Sequence, residues 1–116
     1  MTMFFKCSNP NQLRQAFVDK VNLGNKPGGI ASWTIDAQGK ITHVATQLEK
    51  AGDLITEVIE DTQGRWLAFN FKPRKGVNAK DAQFAFKELS GNILATFIEH
   101  FLGQFSEAKF LDRRPK

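Results

Sequence analysis

A turn is written twice in this chain. Asp36-Ala37-Gln38-Gly39-Lys40 and Asp61-Thr62-Gln63-Gly64-Arg65 both read Asp-x-Gln-Gly-basic. An Asp that opens a turn accepts hydrogen bonds from backbone N–H groups just ahead of it, and a Gly three residues on takes a positive φ without steric cost. That is the chemistry of a type I turn closed by a left-handed Gly in a three-residue hairpin loop. Apolar runs flank both copies, so the pair predicts two β-hairpins. The flanks do not superpose, because Trp33 precedes its Asp whereas Trp66 follows its own. The recurrence is shared hairpin chemistry and not a duplicated domain.

The rest of the chain fits around those hairpins. Residues 3–7 are short, apolar and β-compatible, and read as a first strand. Ser8-Asn9-Pro10 reads as a helix start, with Ser8 or Asn9 capping and Pro10 at the first helical position. Leu13, Ala16, Phe17 and Val21 follow at helical spacing, and Gly24 supplies the stop. Strands are expected over residues 30–36, 41–46, 54–60 and 66–72. In the last, Leu67, Phe69 and Phe71 share the face that packs on helices, and alternation sends Trp66 to the other side. Asn78 with Asp81 three residues later predicts a capped helix start. The stripe Phe86, Leu89, Ile93, Phe97 and Phe101 carries a helix from residue 79 to about 105, kinked or broken at Ser90-Gly91-Asn92. A strand over residues 83–87 is the competing pattern, and continuity of the stripe from Phe86 favours helix. Phe110-Leu111 docks once more, and residues 112–116 read as a frayed basic tail.

The expectation is a single α+β domain spanning residues 1–116, in the order β-α-β-β-β-β-α. Its sheet is a four-stranded antiparallel meander of two hairpins plus a short N-terminal strand. An N-terminal helix and a long, kinked C-terminal helix form one layer against it. A length of 116 residues suits one domain that buries a core without staples. The lone cysteine, Cys7, rules out an intramolecular disulfide and fits a reducing compartment, so the expected location is cytoplasmic. The N-terminus lacks the long apolar run of a signal peptide, and no run approaches the ~18 residues that span a bilayer.

The residue types do not assemble into a catalytic or metal-binding constellation. His43 and His100 lack neighbours at ligand spacing. Cys7 sits in an apolar strand, where a small buried hydrophobe is the ordinary role. The serines lack the Gly-x-Ser-x-Gly elbow. The glycine-rich loop at residues 24–29 has no phosphate-loop spacing, and a strand follows it instead of a helix. No enzyme activity, cofactor or metal is expected.

Two surfaces remain. A sheet with helices on one side leaves the other open, and there Trp66, Ala68 and Asn70 are the expected partner-binding residues. They suit a protein-interaction module such as an inhibitor, an immunity-type or adaptor protein, or a homodimer. The alternative is binding of nucleic acid or another polyanion by Lys72, Arg74, Lys75 and Lys80, in a chain of net charge +4. No nucleic-acid module signature accompanies that cluster. A small-ligand or enzymatic pocket between sheet and helices is the third reading.

Overall fold

Asn9 is where the first strand hands over to the first helix. Its side chain accepts the Gln12 N–H at 3.1 Å, and Pro10 occupies the first turn. In this computed structural model, which describes residues 1–111, β1 (Thr2–Lys6) leads through that cap into α1 (Pro10–Leu23). Next come β2 (Trp33–Ile35), β3 (Ile41–His43), a four-residue α2 (Thr46–Glu49), β4 (Gly52–Asp61) and β5 (Gly64–Pro73). The long helix α3 (Ala79–Phe101) and a last strand β6 (Glu107–Leu111) complete the chain. The expected basic tail at residues 112–116 lies outside the described residues.

The sheet is antiparallel throughout, in the order β2-β3-β4-β5-β1-β6. The four-stranded meander is there as β2 to β5, with β1 added beside β5. The sheet has six strands, because residues 107–111 pair with the free edge of β1. A strand that short, held by a partner a hundred residues away and announced by no hairpin turn, has no local signature.

The twin turns are built alike and closed differently. Asp36 Oδ1 accepts the N–H groups of Gln38 and Lys40, both at 2.9 Å. Asp61 Oδ1 accepts those of Gln63 and Gly64 at 2.9 and 3.1 Å. Both glycines have positive φ, 84° at Gly39 and 142° at Gly64. The first loop spans the three residues expected. The second pairs Asp61 directly with Gly64 and closes over Thr62 and Gln63 alone.

Helices α1 and α3 pack on one face of the sheet. Phe97 stacks on Phe5 at 4.2 Å between ring centroids and lies within 6 Å of Phe69, Phe17 and Phe101. Leu67, Phe69 and Phe71 all join this core. The only polar handle on the buried aromatics of this layer is satisfied: Trp33 Nε1 donates to Thr96 Oγ1 at 3.1 Å, and that hydroxyl donates to Asn92 O at 2.8 Å. Residues 83–87 are helical, as the stripe favoured.

Several boundaries differ from expectation. Strands β2 and β3 are three residues each, shorter than the strands expected over residues 30–36 and 41–46, and Thr46 opens α2. Helix α3 differs in two respects. Helix α3 runs unbroken through Ser90-Gly91-Asn92, because Leu89 and Ile93 anchor the core side of that turn while Gly91 faces outward. The helix also stops at Phe101 and not near residue 105. Gly103, with φ 95°, turns the chain away, and Phe105 returns to the core from the following loop to meet Phe5 at 5.2 Å.

Candidate functional site

Register decides which side chains share the open face. Residues directly opposite in an antiparallel pair point the same way. Trp66 is opposite Ile59 and Lys6, Ala68 is opposite Glu57 and Phe4, and Asn70 is opposite Ile55 and Thr2. On β6, Glu107 and Lys109 continue the rows of Lys6 and Phe4. All of these face away from the helices, and among the described residues no helix lies over them. The result is an apolar centre (Phe4, Ile55, Ile59, Trp66, Ala68) crossed by charged and amide side chains.

The three residues expected here are brought together, and two of them are better covered than an outward position implies. Trp66 is 3 % exposed and Ala68 0 %. The cover comes from the chain itself. Lys109 Nζ stands 4.3 Å from the Trp66 ring centroid and Lys6 Nζ 5.8 Å. Phe4 meets the Trp66 ring edge-on at 6.2 Å. Lys6 is held in turn by Glu107 at 3.2 Å. Trp66 Nε1 donates to Asp61 Oδ1 at 3.1 Å, the same oxygen that holds the turn. That indole bond, followed by the turn N–H groups of Gln63 and Gly64, keeps the Asp61 carboxyl below its ordinary value. Asn70 is half-buried and pinned on both sides: its carbonyl accepts from Thr2 Oγ1 at 2.7 Å, and its amide donates to Glu57 at 3.1 Å.

The basic cluster divides. Arg74 is occupied within the fold, with Nη2 3.2 Å from Asp53 Oδ1 and Nε donating to Glu49 O at 2.9 Å. Asp53, 6 % exposed, also accepts from Thr42 Oγ1 at 2.8 Å. Lys72, Arg74 and Lys75 line a groove of about 490 Å³ together with Lys40, Asp53 and Ile55. Lys80 lies in the first turn of α3 and is not part of that wall. Lys40 was missed from sequence. Its signal is the basic residue that ends the first twin turn, which the β3–β4–β5 pairing carries to the end of β5.

Two further hollows involve residues weighed from sequence. Cys7 lines a groove of about 580 Å³ with Lys6, Ser8, Arg65 and Gln104. Its thiol is buried and donates to Phe5 O at 3.7 Å, and burial pushes its pKa above the ordinary thiol value. An apolar groove of about 310 Å³ separates α3 from β6, walled by Met3, Phe86, Leu94 and Phe110. His43 and His100 stand apart: His43 Nδ1 accepts the Ala45 N–H at 3.0 Å, and His100 lies 3.9 Å from Glu99. Among the described residues, no three His, Cys, Asp or Glu side chains gather as a metal site, and no helix is long and apolar enough to cross a membrane.

Comparison of the chain with known protein families, characterised proteins and solved structures finds no match to any of them.

Proposed function

We propose that this domain is a non-catalytic protein-interaction module that binds its partner on the open face of the sheet, around Trp66, Ala68 and Asn70. One observation supports the reading above the others. The central strands β4, β5 and β1 present an apolar centre with no helical cover, edged by Lys6, Lys109, Glu57 and Glu107. An apolar centre within a charged rim is the anatomy of a protein interface. The side chain over Trp66 belongs to the exposed Lys109, so a partner reaches the indole by displacing one flexible ammonium group. A partner with an acidic group beside an apolar anchor suits that exchange. The single buried cysteine is compatible with a cytoplasmic setting.

The test is affinity capture from the source cell followed by direct binding of the purified partner. Ile59→Arg places a charge in the half-buried apolar centre and should weaken binding at least tenfold with the fold intact. A partner that binds this variant as tightly as the parent uses another surface, and the reading fails.

A second reading has its own support. The ammonium groups of Lys40, Lys72 and Lys75 take part in no ion pair among the described residues, although they share a groove with the carboxylate of Asp53. Such a groove suits a polyanion, including single-stranded nucleic acid. Three phosphate contacts would give a log–log salt slope of about −2 on single strands. Absence of binding to oligonucleotides at low salt removes this alternative.

A further inference from the structure

We propose that β6 is a displaceable strap. It lifts from β1 as a unit, pivoting at Ser106 while the rest of the domain stays folded, and so controls access to Trp66 and to the edge of β1.

The observation is a strand that covers a buried residue without being buried itself. All five residues of β6 are exposed, and the strand pairs with β1 alone. The other edge strand, β2, is held differently, because its Trp33 is buried and bonded to Thr96 of α3. Side chains of β6 that turn toward the helices find little to pack on. Phe110 is opposite Met3 and belongs to that face, yet it is 62 % exposed. A groove of about 310 Å³ is left between it and α3. On the other face, Lys109 Nζ lies 5.6 Å from the Phe4 ring centroid and 4.3 Å from that of Trp66, and Glu107 holds Lys6 at 3.2 Å. These are contacts of solvated charges, which hold weakly. An element with so little buried apolar surface opens at a fraction of the free energy of global unfolding.

The pivot is fixed by what stays behind. Phe105 is half-buried, with its ring centroid 5.2 Å from that of Phe5 and 6.2 Å from that of Phe97. The chain is therefore anchored in the core up to residue 105 and loses that anchor beyond it.

Lifting β6 takes Lys109 off the Trp66 ring and Glu107 off Lys6. It also frees backbone on β1. Cys7 N–H donates to Arg65 O and Met1 O accepts from Phe71 N–H, both toward β5, whereas Lys6 O accepts the Ser106 N–H. By alternation along the strand, Met3 and Phe5 bond toward β5, and Thr2, Phe4 and Lys6 toward β6. The opened domain presents Trp66, Phe4 and a free strand edge side by side, an arrangement onto which an extended peptide segment adds as a new strand. That use of the opened face rests on the partner reading given above; the opening itself does not.

Hydrogen exchange of the full chain, followed residue by residue by NMR, tests it. The N–H groups of Lys109, Phe4 and Lys6 should exchange together, about a hundredfold faster than those of Met3 and Phe5. A disulfide lock checks that the unit opens by lifting. Thr2→Cys with Leu111→Cys joins opposite residues at the end far from the pivot and leaves Lys6, Glu107 and Lys109 in place. Oxidation should slow exchange at Phe4 and Lys6 at least tenfold, and reduction of the same protein should restore it. Equal protection of Phe4, Lys6, Met3 and Phe5 overturns the proposal. So does exchange that is indifferent to the lock. If the pair does not oxidise, the comparison among the four β1 amides of the parent decides. The partner reading stands or fails on Ile59→Arg without bearing on these rates, so the two can fail separately.

Discussion

Lys109 closes over Trp66 from two strands away. The ammonium group stands 4.3 Å from the ring centroid, yet β6 pairs with β1 and not with β5. Trp66 faces away from the helices and is nevertheless 3 % exposed, because Lys109 of the edge strand covers it together with Lys6 and Phe4 of β1. The Lys109→Ala variant should uncover it. Trp33 points to the other face of the sheet, under α3, and keeps its environment, so a red shift in tryptophan emission reports Trp66 alone. The loss of an exposed cation–π contact should cost about 0.5–1 kcal/mol in denaturant unfolding. Emission identical to the parent's would mean that the ring is covered by something other than Lys109.

Phe97 is the residue whose loss the core should feel most. It is fully buried, and its ring is shared between β1, α1, β5 and α3 through Phe5, Phe17, Phe69 and Phe101. Four elements cannot all close on the space it leaves. Phe97→Ala should therefore destabilise by on the order of 3–5 kcal/mol, in the range of large aromatic truncations. A loss under about 1 kcal/mol would show that neighbouring rings collapse into the cavity.

The twin turns make a paired experiment. Gly39 sits at φ 84° with nothing within 4 Å of a Cβ built there. The cost of Gly39→Val is then backbone strain alone, which should exceed the ~1 kcal/mol of an average point mutant. At Gly64, φ is 142° and a Cβ would lie 2.7 Å from Lys6 Cε. Gly64→Val adds displacement of the Lys6 side chain, and with it of the Lys6–Glu107 ion pair over Trp66. Chemical denaturation should rank Gly64→Val as at least as damaging as Gly39→Val. Shifts of a few tenths of a kcal/mol for both would mean that neither turn needs its glycine.

These residues also show what the sequence can and cannot announce. Asp-x-Gln-Gly is local chemistry, and both turns, the meander they join and the Asn9 and Asn78 caps were legible from it. Alternation in β5 was legible too, and it places Leu67 inward and Trp66 outward. The state of Trp66 was not, because its cover comes from residues 6 and 109, whose meeting depends on β6 pairing with β1. The basic groove was half legible. Lys72, Arg74 and Lys75 are consecutive enough to be seen together, but Lys40 joins them only through the pairing of β3, β4 and β5. Arg74 leaves the free set because a buried Asp53 claims it. The unbroken α3 follows the same logic: helix propensity marks Ser90-Gly91-Asn92 as weak, and packing of Leu89 and Ile93 overrides it.

His43 should make stability depend on pH. Its Nδ1 accepts the Ala45 N–H at 3.0 Å, so the folded form holds the neutral ring with the proton on Nε2, edge-on to Trp33 at 4.8 Å. Burial lowers its pKa below the ordinary 6.5. The unfolded chain then binds more protons than the folded one between those two values. The associated stability is complete above about pH 6.5 and is lost as pH falls through the folded value. Melting temperature should therefore fall between pH 7.5 and pH 5.5. The depressed carboxyl of Asp61 acts below about pH 4 and the raised thiol of Cys7 above about pH 9, so neither contributes in this window. His43→Asn supplies a non-titrating side-chain acceptor for the same Ala45 N–H. Its melting temperature should change less over that interval than the parent's. An equal fall in both proteins would exclude His43 as the source.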